Sequence, residues 1–374
     1  MAPSNAAIRP ATLLLLVVVL AASVACEGGS SQVAPPPNVS VTVGNPNRPV
    51  TLSESGSSLV LPYLQKMVAP LHADYPAISL APAGGGSGKG VSDAISGAVV
   101  MGGSDAFLSD GQAAQNPDLL DIPIAVSAQA INYNLPGVND LRLSGDVIAR
   151  IYEGRIGTWN DPAIAKLNPD VSLPPTPIAP VHRSDASGDT FLFTAFLTAA
   201  NTDWRDGPAY STTVTWPSVQ GARTATGNPA MVQVCSQTPG CIAYVGISAE
   251  AAATTAKLGE ARLQNRAGQF LEPTPATITA AKDVAGQAPI PADLRVSLID
   301  EEGAQSYPIV NYEYLMVRSQ QPDANTALAV RTFLAWAIDA GRGSSPANLG
   351  TVGFVALPTT VVPWVRAAIA KVKS

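Results

Sequence analysis

The sequence has few of the side chains that bind transition metals. Histidine occurs twice, at His72 and His182, and cysteine occurs three times in 374 residues. Zinc sites need three or four nitrogen, sulfur or carboxylate ligands at close spacing, and neither histidine lies in such a cluster. This scarcity argues against a bound metal and against metal-assisted hydrolysis.

Charged residues are also scarce, at 13% of the chain, and they sum to a formal net charge of −6. Proteins that bind nucleic acid are usually basic because they neutralise backbone phosphates, so we expect no nucleic-acid partner. A small anion stays possible as a ligand, since it responds to the donors around it more than to net charge. Hydrophobic residues make up 46%, and the length is enough for more than one domain.

An apolar run near the N terminus is too short to span a bilayer comfortably. ATLLLLVVVLAA (11–22) follows Arg9, the only charge in this region, and precedes the small residues SVA. This order predicts a secretion signal over residues 1–25.

Cys26 follows that signal and resembles the acylation site of bacterial lipoproteins, at which the cysteine becomes the new N terminus. Ser23 departs from the Leu that such sites usually carry. Acyl chains on Cys26 would hold the protein at a membrane surface. Residues 26–47 are rich in Gly, Ser, Pro and Asn, with too little bulk to fold, so we interpret them as the lipidated cysteine and a tether.

The two remaining cysteines are Cys235 and Cys241, in VCSQTPGCIAYV around a Thr-Pro-Gly turn. In an exported protein, two cysteines this close are expected to form one disulfide. The competing metal site lacks histidine partners.

A strand, a small polar turn and a helix follow one another several times along the chain. The pattern occurs in the segment that ends in RSDASGDTFLF (183–193) and in residues 48–71 and 76–97, and SGAVVMGGSDAFLSD (96–110) supplies a further strand. QAINYNL (129–135) predicts another strand. The alternation predicts an α/β protein with mainly parallel sheets. Each turn would aim backbone N–H groups and the positive end of a helix dipole at one spot, which suits an anion.

Known nucleotide and hydrolase motifs do not fit these turns. GGGSGKG (84–90) follows Ala83 where a P-loop has its first glycine, and Gly90 replaces the Ser or Thr that holds magnesium. The dinucleotide spacing G-x-G-x-x-G is absent from that run. DASGD (185–189) lacks the glycines of a nucleophile elbow, and His182 is adjacent on a strand whose neighbours point to opposite faces. We therefore expect neither a cofactor nor catalysis.

Four stretches together resemble the PstS family, the phosphate-binding proteins of bacterial ABC phosphate importers. They are ESGSSLVLPYL (54–64), GGGSGKGVSDAISG (84–97), GGSDAFLSD (102–110) and HRSDASGDTFLF (182–193). Further similar stretches extend the resemblance over almost the whole mature chain: INYNLPGV (131–138), TWNDPAIAKLNP (158–169), TPGCIAYVGIS (238–248) and YPIVNYEYLMV (307–317).

The resemblance implies a set of residues that bind phosphate through side chains and backbone N–H groups: Ser58, Leu59, Ser87, Asp105, Arg183, Ser187, Gly188 and Asp189. Arg183 would clamp two ligand oxygens. Ser57 or Ser58 would cap the first helix, two alternatives that the sequence leaves open. Ala186 stands where the family often has Gly, so its turn must form without a positive φ. Asp189 stands where some members have Thr and others have Asp.

The resemblance implies that Asp105 discriminates between phosphate and sulfate. A carboxylate beside an anion is repulsive unless the ligand donates a hydrogen bond, which protonated phosphate does and sulfate at neutral pH does not. Asp105, with Asp189 as a possible second acceptor, would therefore exclude sulfate. Asp185 either orients the Arg183 guanidinium or is a simple turn residue, and the sequence does not separate these alternatives.

The fold implied by the resemblance is a type II periplasmic-binding-protein fold with two lobes and phosphate in the cleft between them. Lobe I would comprise residues 48–127 and 306–374, and lobe II residues 128–305, with two crossings that form a hinge. The protein would be a monomeric, extracytoplasmic receptor, lipid-anchored to the outer face of the cell membrane, that delivers phosphate to an ABC permease.

Other functions stay open on the sequence alone. Sulfate or molybdate could bind to the same donors, but neither carries a proton with which it could donate a hydrogen bond to Asp105. A surface phosphatase would need a metal cluster or an activated nucleophile. A phosphate-binding surface protein with a role in signalling or adhesion is the third alternative.

Overall fold

The structure is a computed structural model, and it describes residues 39–374. The predicted signal and Cys26 lie outside the described residues, as does most of the predicted tether. In the described part of the chain, no helix combines the length and the apolar character needed to cross a membrane.

The strands in these residues are β1 (Val50–Gly56), β2 (Ile78–Gly84), β3 (Met101–Ser104), β4 (Leu119–Tyr133), β5 (Arg142–Leu143), β6 (Ala179–Arg183), β7 (Arg223–Ala225), β8 (Cys241–Gly246), β9 (Gly259–Glu260), β10 (Arg262–Gln264), β11 (Phe270–Leu271), β12 (Leu298–Ile299) and β13 (Ile309–Arg318).

The helices are α1 (Leu61–Asp74), α2 (Ser87–Ser96), α3 (Asp110–Gln115), α4 (Gly145–Tyr152), α5 (Pro162–Leu167), α6 (Gly188–Ala200), α7 (Thr202–Asp206), α8 (Gly227–Ser236), α9 (Glu250–Thr255), α10 (Pro275–Ala285), α11 (Ala324–Ala337), α12 (Pro346–Leu349) and α13 (Val362–Ile369).

One sheet follows the order β2-β1-β3-β13-β4-β8-β6-β7, with β12 beside β13 and β9 beside β4. β1 is parallel to β2 and β3, and β6 is parallel to β7 and β8. β13 and β4 are antiparallel to their neighbours. The α/β class is confirmed, but the expectation of mainly parallel sheets is wrong, because two long antiparallel strands run through the middle of the sheet. A separate small sheet has the order β11-β10-β5.

The long strand β4 belongs to both halves of the sheet. Its residues 119–128 pair with β13, and its residues 129–133 pair with β8. The halves have the same arrangement, since β2-β1-β3 is followed by antiparallel β13 and β7-β6-β8 is followed by antiparallel β4. The fold thus has two lobes built alike, and we call the half with β1 the first lobe and the half with β6 the second lobe.

Small polar residues precede the helices that follow β1 and β6. Ser57 Oγ accepts hydrogen bonds from the N–H groups of Leu59 at 2.9 Å and Val60 at 3.2 Å, just before α1. Ser57 thus holds the turn before α1, but the prediction that Ser57 or Ser58 caps this helix is wrong, because its N-cap is Val60 and has no side-chain cap hydrogen bond. Ser187 is the N-cap of α6, as the pattern predicts, and accepts from the Thr190 N–H at 3.4 Å.

An aromatic cluster packs against the turn between β6 and α6. Tyr244 on β8 stacks on Phe193 of α6 with ring centroids 4.4 Å apart. The Tyr244 hydroxyl accepts a hydrogen bond from the Arg183 backbone N–H at 2.8 Å and lies 2.8 Å from Thr190 Oγ1. One buried phenol thus holds the end of the strand and the start of the helix in a fixed relation.

The disulfide between Cys235 and Cys241 is present as predicted. It joins the end of α8 to the start of β8, and both cysteines are buried. Because Asn228 lies in the first turn of α8, the crosslink fixes the far end of an element that contributes to the site.

Candidate functional site

Asp105 lies at the centre of the candidate site, directly after β3 in the first lobe. Ser57 Oγ donates a hydrogen bond to Asp105 Oδ1, and Ser87 Oγ donates to Asp105 Oδ2 at 3.2 Å. The Asp105 backbone N–H donates in turn to Ser87 Oγ at 3.2 Å. All three residues are buried. The end of β3 and two turns therefore fix the direction of this carboxyl group.

Gly188, the first residue of α6, brings the second lobe against Asp105. An ideal Cβ built on Gly188 would lie 2.5 Å from Ser87 Oγ and 2.6 Å from Asp105 Cβ, distances that real Cβ atoms do not show. The first N–H groups of a helix have no acceptor within the helix. In α6 these groups lie beside Asp105, because the helix begins at Gly188. A side chain at Gly188 would push the two lobes apart here.

Arg183 ends β6, and its guanidinium is buried between two carboxyl groups. Nε donates to Asp185 Oδ1 at 2.7 Å and Nη2 donates to Asp185 Oδ2, a forked pair. Nη1 donates to Asp189 Oδ2 at 2.7 Å. Of the five N–H groups of an arginine, these bonds use three and leave one on each terminal nitrogen for a ligand. Asp185 has the geometry of a residue that orients Arg183.

Asp189 is surrounded by donors from three directions. Besides Arg183, Asn228 Nδ2 donates to its Oδ2 at 2.9 Å, and Gln129 Nε2 donates to its Oδ1 at 3.2 Å. Gln129 Nε2 also donates to the Asp189 backbone oxygen at 3.0 Å. The carboxyl group of Asp189 is thus held largely by protein groups.

The two lobes touch at the site. Ser58 Oγ accepts from the Asn228 backbone N–H at 3.1 Å and from Asn228 Nδ2 at 3.3 Å. The Gly88 N–H donates to the Ala186 oxygen at 2.9 Å, and Ser248 Oγ donates to the Leu59 oxygen at 2.8 Å. The structure therefore has a closed cleft.

The remaining predicted residues lie in the same place. The Leu59 N–H points into the turn and donates to Ser57 Oγ. Ala186 is not among the described residues with a positive φ, so its turn forms without the strain that a Gly would relieve. The eight predicted binding residues thus converge from β1–α1, β2–α2, β3 and β6–α6. Cys26 lies outside the described residues.

Burial dominates the electrostatics of the site. It raises the pKa of Asp105 to about 7, with the charge of Asp189 adding to the shift and the hydrogen bond of Ser57 opposing it. It also raises the pKa of Asp189, although Arg183 acts in the other direction. At Asp185 burial is outweighed by the hydrogen bonds and charge of Arg183, which hold its pKa below the usual range.

Neither Ser187 nor the nearby histidine is arranged for nucleophilic catalysis. The Ser187 hydroxyl accepts the Thr190 N–H as a helix cap. The His182 ring stacks on Trp216 with centroids 4.5 Å apart, and its Nδ1 lies 3.2 Å from the Arg183 oxygen. Within residues 39–374, no group of three or more His, Cys, Asp or Glu side chains is arranged to hold a metal.

Sequence patterns did not predict that Ser57 donates a hydrogen bond to Asp105. They also missed four other residues in or beside the site: Gln129, Asn228, Tyr244 and Glu313. Asn228 lies in the first turn of α8, which follows the short strand β7, and this order of strand, small polar turn and helix is the signal that could have identified it. Glu313 is an acid inside the apolar run YPIVNYEYLMV, which is also a visible signal. Gln129 and Tyr244 have no local signal.

Comparison with known proteins identifies the family. The family model described as "PBP superfamily domain" matches residues 42–340. The phosphate-binding protein PstS of Methanocaldococcus jannaschii is 33% identical over 337 residues, which cover 83% of this chain and 84% of that protein. The PstS of Pasteurella multocida is 34% identical over 284 residues, covering 75% and 79%.

Solved structures share the fold at lower sequence identity. A phosphate-binding protein from Stenotrophomonas maltophilia superposes with a TM-score of 0.63 and 22% identity, covering 86% of this chain and 93% of that one. A high-affinity periplasmic phosphate-binding protein solved with bound phosphate gives a TM-score of 0.68 and 24% identity, covering 86% and 93%. With the two-lobed fold and the curated relatives taken together, the chain belongs to the PstS family of phosphate-binding proteins.

Proposed function

We propose that this protein is an extracytoplasmic receptor that binds inorganic phosphate between its lobes and delivers it to a membrane ABC importer. The observation that carries the proposal is the meeting of a buried arginine, a buried carboxyl group and several helix N-termini at one closed cleft. The names of the curated relatives support it, since PstS proteins are phosphate-binding proteins.

The donors around the cleft suit an oxyanion. The two N–H groups of Arg183 that are not used by Asp185 and Asp189 would bind two phosphate oxygens. Ser58, Ser87 and Ser187 would offer hydroxyls, and the free backbone N–H groups at the starts of α2 and α6 would add donors without side chains in the way. Gly188 would act through its backbone N–H. The Leu59 N–H donates to Ser57 Oγ in this structure, so it would reach the ligand only by giving up that bond. Asp189 would keep the second lobe's arginine in place.

Asp105 would make the site selective for an anion that carries a proton. As a carboxylate it accepts hydrogen bonds only, so it would accept the P–OH group of phosphate. Sulfate has only acceptor oxygens at neutral pH, and it would face the Asp105 carboxylate without a hydrogen between them. The same logic disfavours molybdate.

Two chain crossings would form the hinge between the lobes. We place lobe I at residues 48–127 and 306–374 and lobe II at residues 128–305. The change of pairing partner along β4, between Ala128 and Gln129, and the start of β13 at Ile309 support these boundaries. Tyr307 donates its hydroxyl to the Gln129 oxygen at 2.9 Å, which links the two crossings directly. Phosphate that contacts both lobes would favour the closed form, which a permease can recognise.

Isothermal titration of residues 27–374, stripped of bound anion, tests this function. We expect tight binding of one phosphate per chain at neutral pH and no competition from excess sulfate. Arg183→Lys should weaken binding strongly, because a lysine cannot contact Asp185 and two ligand oxygens together, whereas Arg142→Lys, at a half-buried arginine of β5, should not. Equal binding of sulfate would leave an oxyanion receptor without selectivity, and binding of neither anion would refute the proposal.

The lipid anchor and the oligomeric state are part of the proposal. Cys26→Ser should release the protein from membranes into the soluble fraction, whereas fractionation that still depends on detergent would contradict an anchor at Cys26. Light scattering on residues 27–374 should give the mass of a monomer with and without phosphate. A dimer that forms with phosphate would contradict a receptor that acts as a single chain.

A further inference from the structure

Glu313 is a buried acid beside Asp105 that the proposed binding chemistry does not use. It lies on β13, where Tyr314 pairs with Ser104 of β3, so Glu313 stands next to Asp105 beyond the end of the ladder. Its side chain is completely buried. Nothing in the binding of phosphate described above requires an acid at this position.

The two carboxyl oxygens of Glu313 have different surroundings. Oε1 accepts hydrogen bonds from Ser127 Oγ at 2.5 Å and from Asn311 Nδ2 at 3.1 Å. Oε2 is buried and has no hydrogen-bond partner among the described residues. An ionised carboxylate would leave a charged oxygen without a donor, which is costly in a buried place, whereas a proton on Oε2 turns it into a donor.

The charges around the cleft also favour a proton on Glu313. Three carboxyl groups, those of Asp105, Asp185 and Asp189, interact with the guanidinium of Arg183, and Glu313 is adjacent to Asp105. Asp185 and Asp189 bond to the arginine, and Asp105 accepts from two serines. Glu313 has neither a cation nor a donor on its second oxygen, so it is the group that best retains a proton when an anion enters the cleft.

Glu313 and Asp105 both have a raised pKa, but the groups around them differ. Burial raises the pKa of Glu313 well above its ordinary value, and the charge of Asp105 raises it further. Burial also raises the pKa of Asp105, but the hydrogen bond from Ser57 and the charge of Arg183 lower it. Because serines donate to both oxygens of Asp105 whereas Glu313 Oε2 has no donor, a single proton on this pair is better placed on Glu313.

We propose that Glu313 carries a proton in the closed protein and donates it in a hydrogen bond to Asp105, which keeps Asp105 an acceptor for the P–OH group of the ligand. Glu313 is then a positioning residue that acts through Asp105, and the proposal rests on phosphate binding as proposed above. If Asp105 held the proton itself, it would donate to a ligand oxygen and would accept sulfate as readily as phosphate.

Two substitutions at Glu313 test whether its side chain carries a proton and donates it to Asp105. Glu313→Gln supplies a permanent amide donor toward Asp105 and an oxygen for Ser127 and Asn311, so the variant copies the protonated acid. Its phosphate affinity and phosphate-to-sulfate ratio should stay within about twofold of wild type at neutral pH. Glu313→Met has similar length and no donor, so the pKa of Asp105 should rise further and the ratio should fall by about tenfold or more.

The pH profile distinguishes a proton on Glu313 from a merely structural role. As the pH rises above neutral, the wild type should lose the proton on Glu313 and bind phosphate more weakly, while Glu313→Gln should not show this loss. Ionisation of phosphate, Asp189 and Arg183 is common to both proteins, so the ratio of their dissociation constants reports Glu313 together with the Asp105 carboxyl group beside it. Glu260→Met is the matched control, since Glu260 also has a buried oxygen without a partner and lies on β9 outside the cleft.

Infrared spectroscopy on the ligand-free protein tests the proton without any phosphate. The wild type should show the carbonyl stretches of its protonated carboxylic acids, which include Glu54, and the spectrum of Glu313→Gln should lack one of these bands. The proposal is wrong if no such band is lost, if Glu313→Gln loses selectivity as Glu313→Met does, or if both variants have the wild-type pH profile. A wild type that binds no phosphate would refute the function but leave the infrared result to decide the proton.

Discussion

Replacing Asp105 by Asn is the sharpest test of the binding chemistry. The substitution keeps the size of a buried side chain that contacts Ser57 and Ser87, and it exchanges one acceptor oxygen for an amide donor. Sulfate would then meet a donor where the wild type presents a carboxylate, and phosphate would lose the acceptor for its hydroxyl. The phosphate-to-sulfate ratio should therefore fall.

The size of the fall follows from the burial of Asp105, which is 2% exposed. A buried polar group without its partner costs about 1–3 kcal/mol and more when charged, and about 1.4 kcal/mol corresponds to tenfold in affinity. We expect the ratio to decrease by about a hundredfold, measured by isothermal titration with each anion at neutral pH.

Asp121→Asn provides the matched control for this substitution. Asp121 is a buried aspartate at the start of β4, it accepts the Leu108 N–H at 2.9 Å, and burial raises its pKa to about 7 as it does for Asp105. The control should lower stability without changing the anion ratio. An unchanged ratio in Asp105→Asn would refute the assignment of the acceptor, and an equal fall in both variants would point to general loss of order.

The pH dependence gives a second readout of the same substitution. Because the pKa of Asp105 is raised to about 7, the ligand-free wild type gains a proton on this side chain as the pH falls through that value. A protonated Asp105 donates instead of accepting, so the selectivity for phosphate should weaken on the acid side. Asp105→Asn cannot titrate, and its ratio should change only with the ionisation of phosphate itself.

Three further predictions concern stability and closure. Glu54→Gln should become more stable relative to wild type as the pH rises from about 4.5 to 8, by up to about 5 kcal/mol in urea unfolding, because burial raises the pKa of Glu54 to about 8 and the unfolded chain releases that proton first. A stability difference that is independent of pH would contradict this. Gly188→Ala should abolish phosphate binding while the protein stays folded, since its methyl group would collide across the cleft, and Gly157→Ala, which has open space around it, should bind normally. The double substitution Cys235→Ser and Cys241→Ser should lower the free energy of unfolding by about 2 kcal/mol, the value for a short loop, and keep the anion ratio, so a loss of selectivity would mean that the crosslink shapes the cleft.

The strand β4 illustrates how far local patterns predict this fold. QAINYNL predicts its last part, but the strand begins at Leu119 and includes Pro123. Proline disfavours a central strand because it cannot donate to the ladder. The structure accommodates it at a bulge, where the pairing with β13 shifts between Glu313 and Tyr314 opposite Pro123. That compensation lies almost two hundred residues away, so a local pattern contains no sign of it.

The sequence by itself determined the features that depend on neighbours along the chain. Small polar residues before apolar runs predicted the start of α6 at Ser187, and two cysteines around a tight turn predicted the disulfide, because caps and short loops are local. The same turns, taken in order, were enough to identify the family.

Only the tertiary structure decided which groups surround the cleft. Two adjacent serines are indistinguishable in the sequence, and the approach of β3 brought Asp105 to Ser57 and placed Ser58 against Asn228. Gln129 lies far along the chain from Asp189, and Glu313 lies far along the chain from Asp105. Their roles arise from burial and from the register of long antiparallel strands, which are properties of the folded chain and have no local signature.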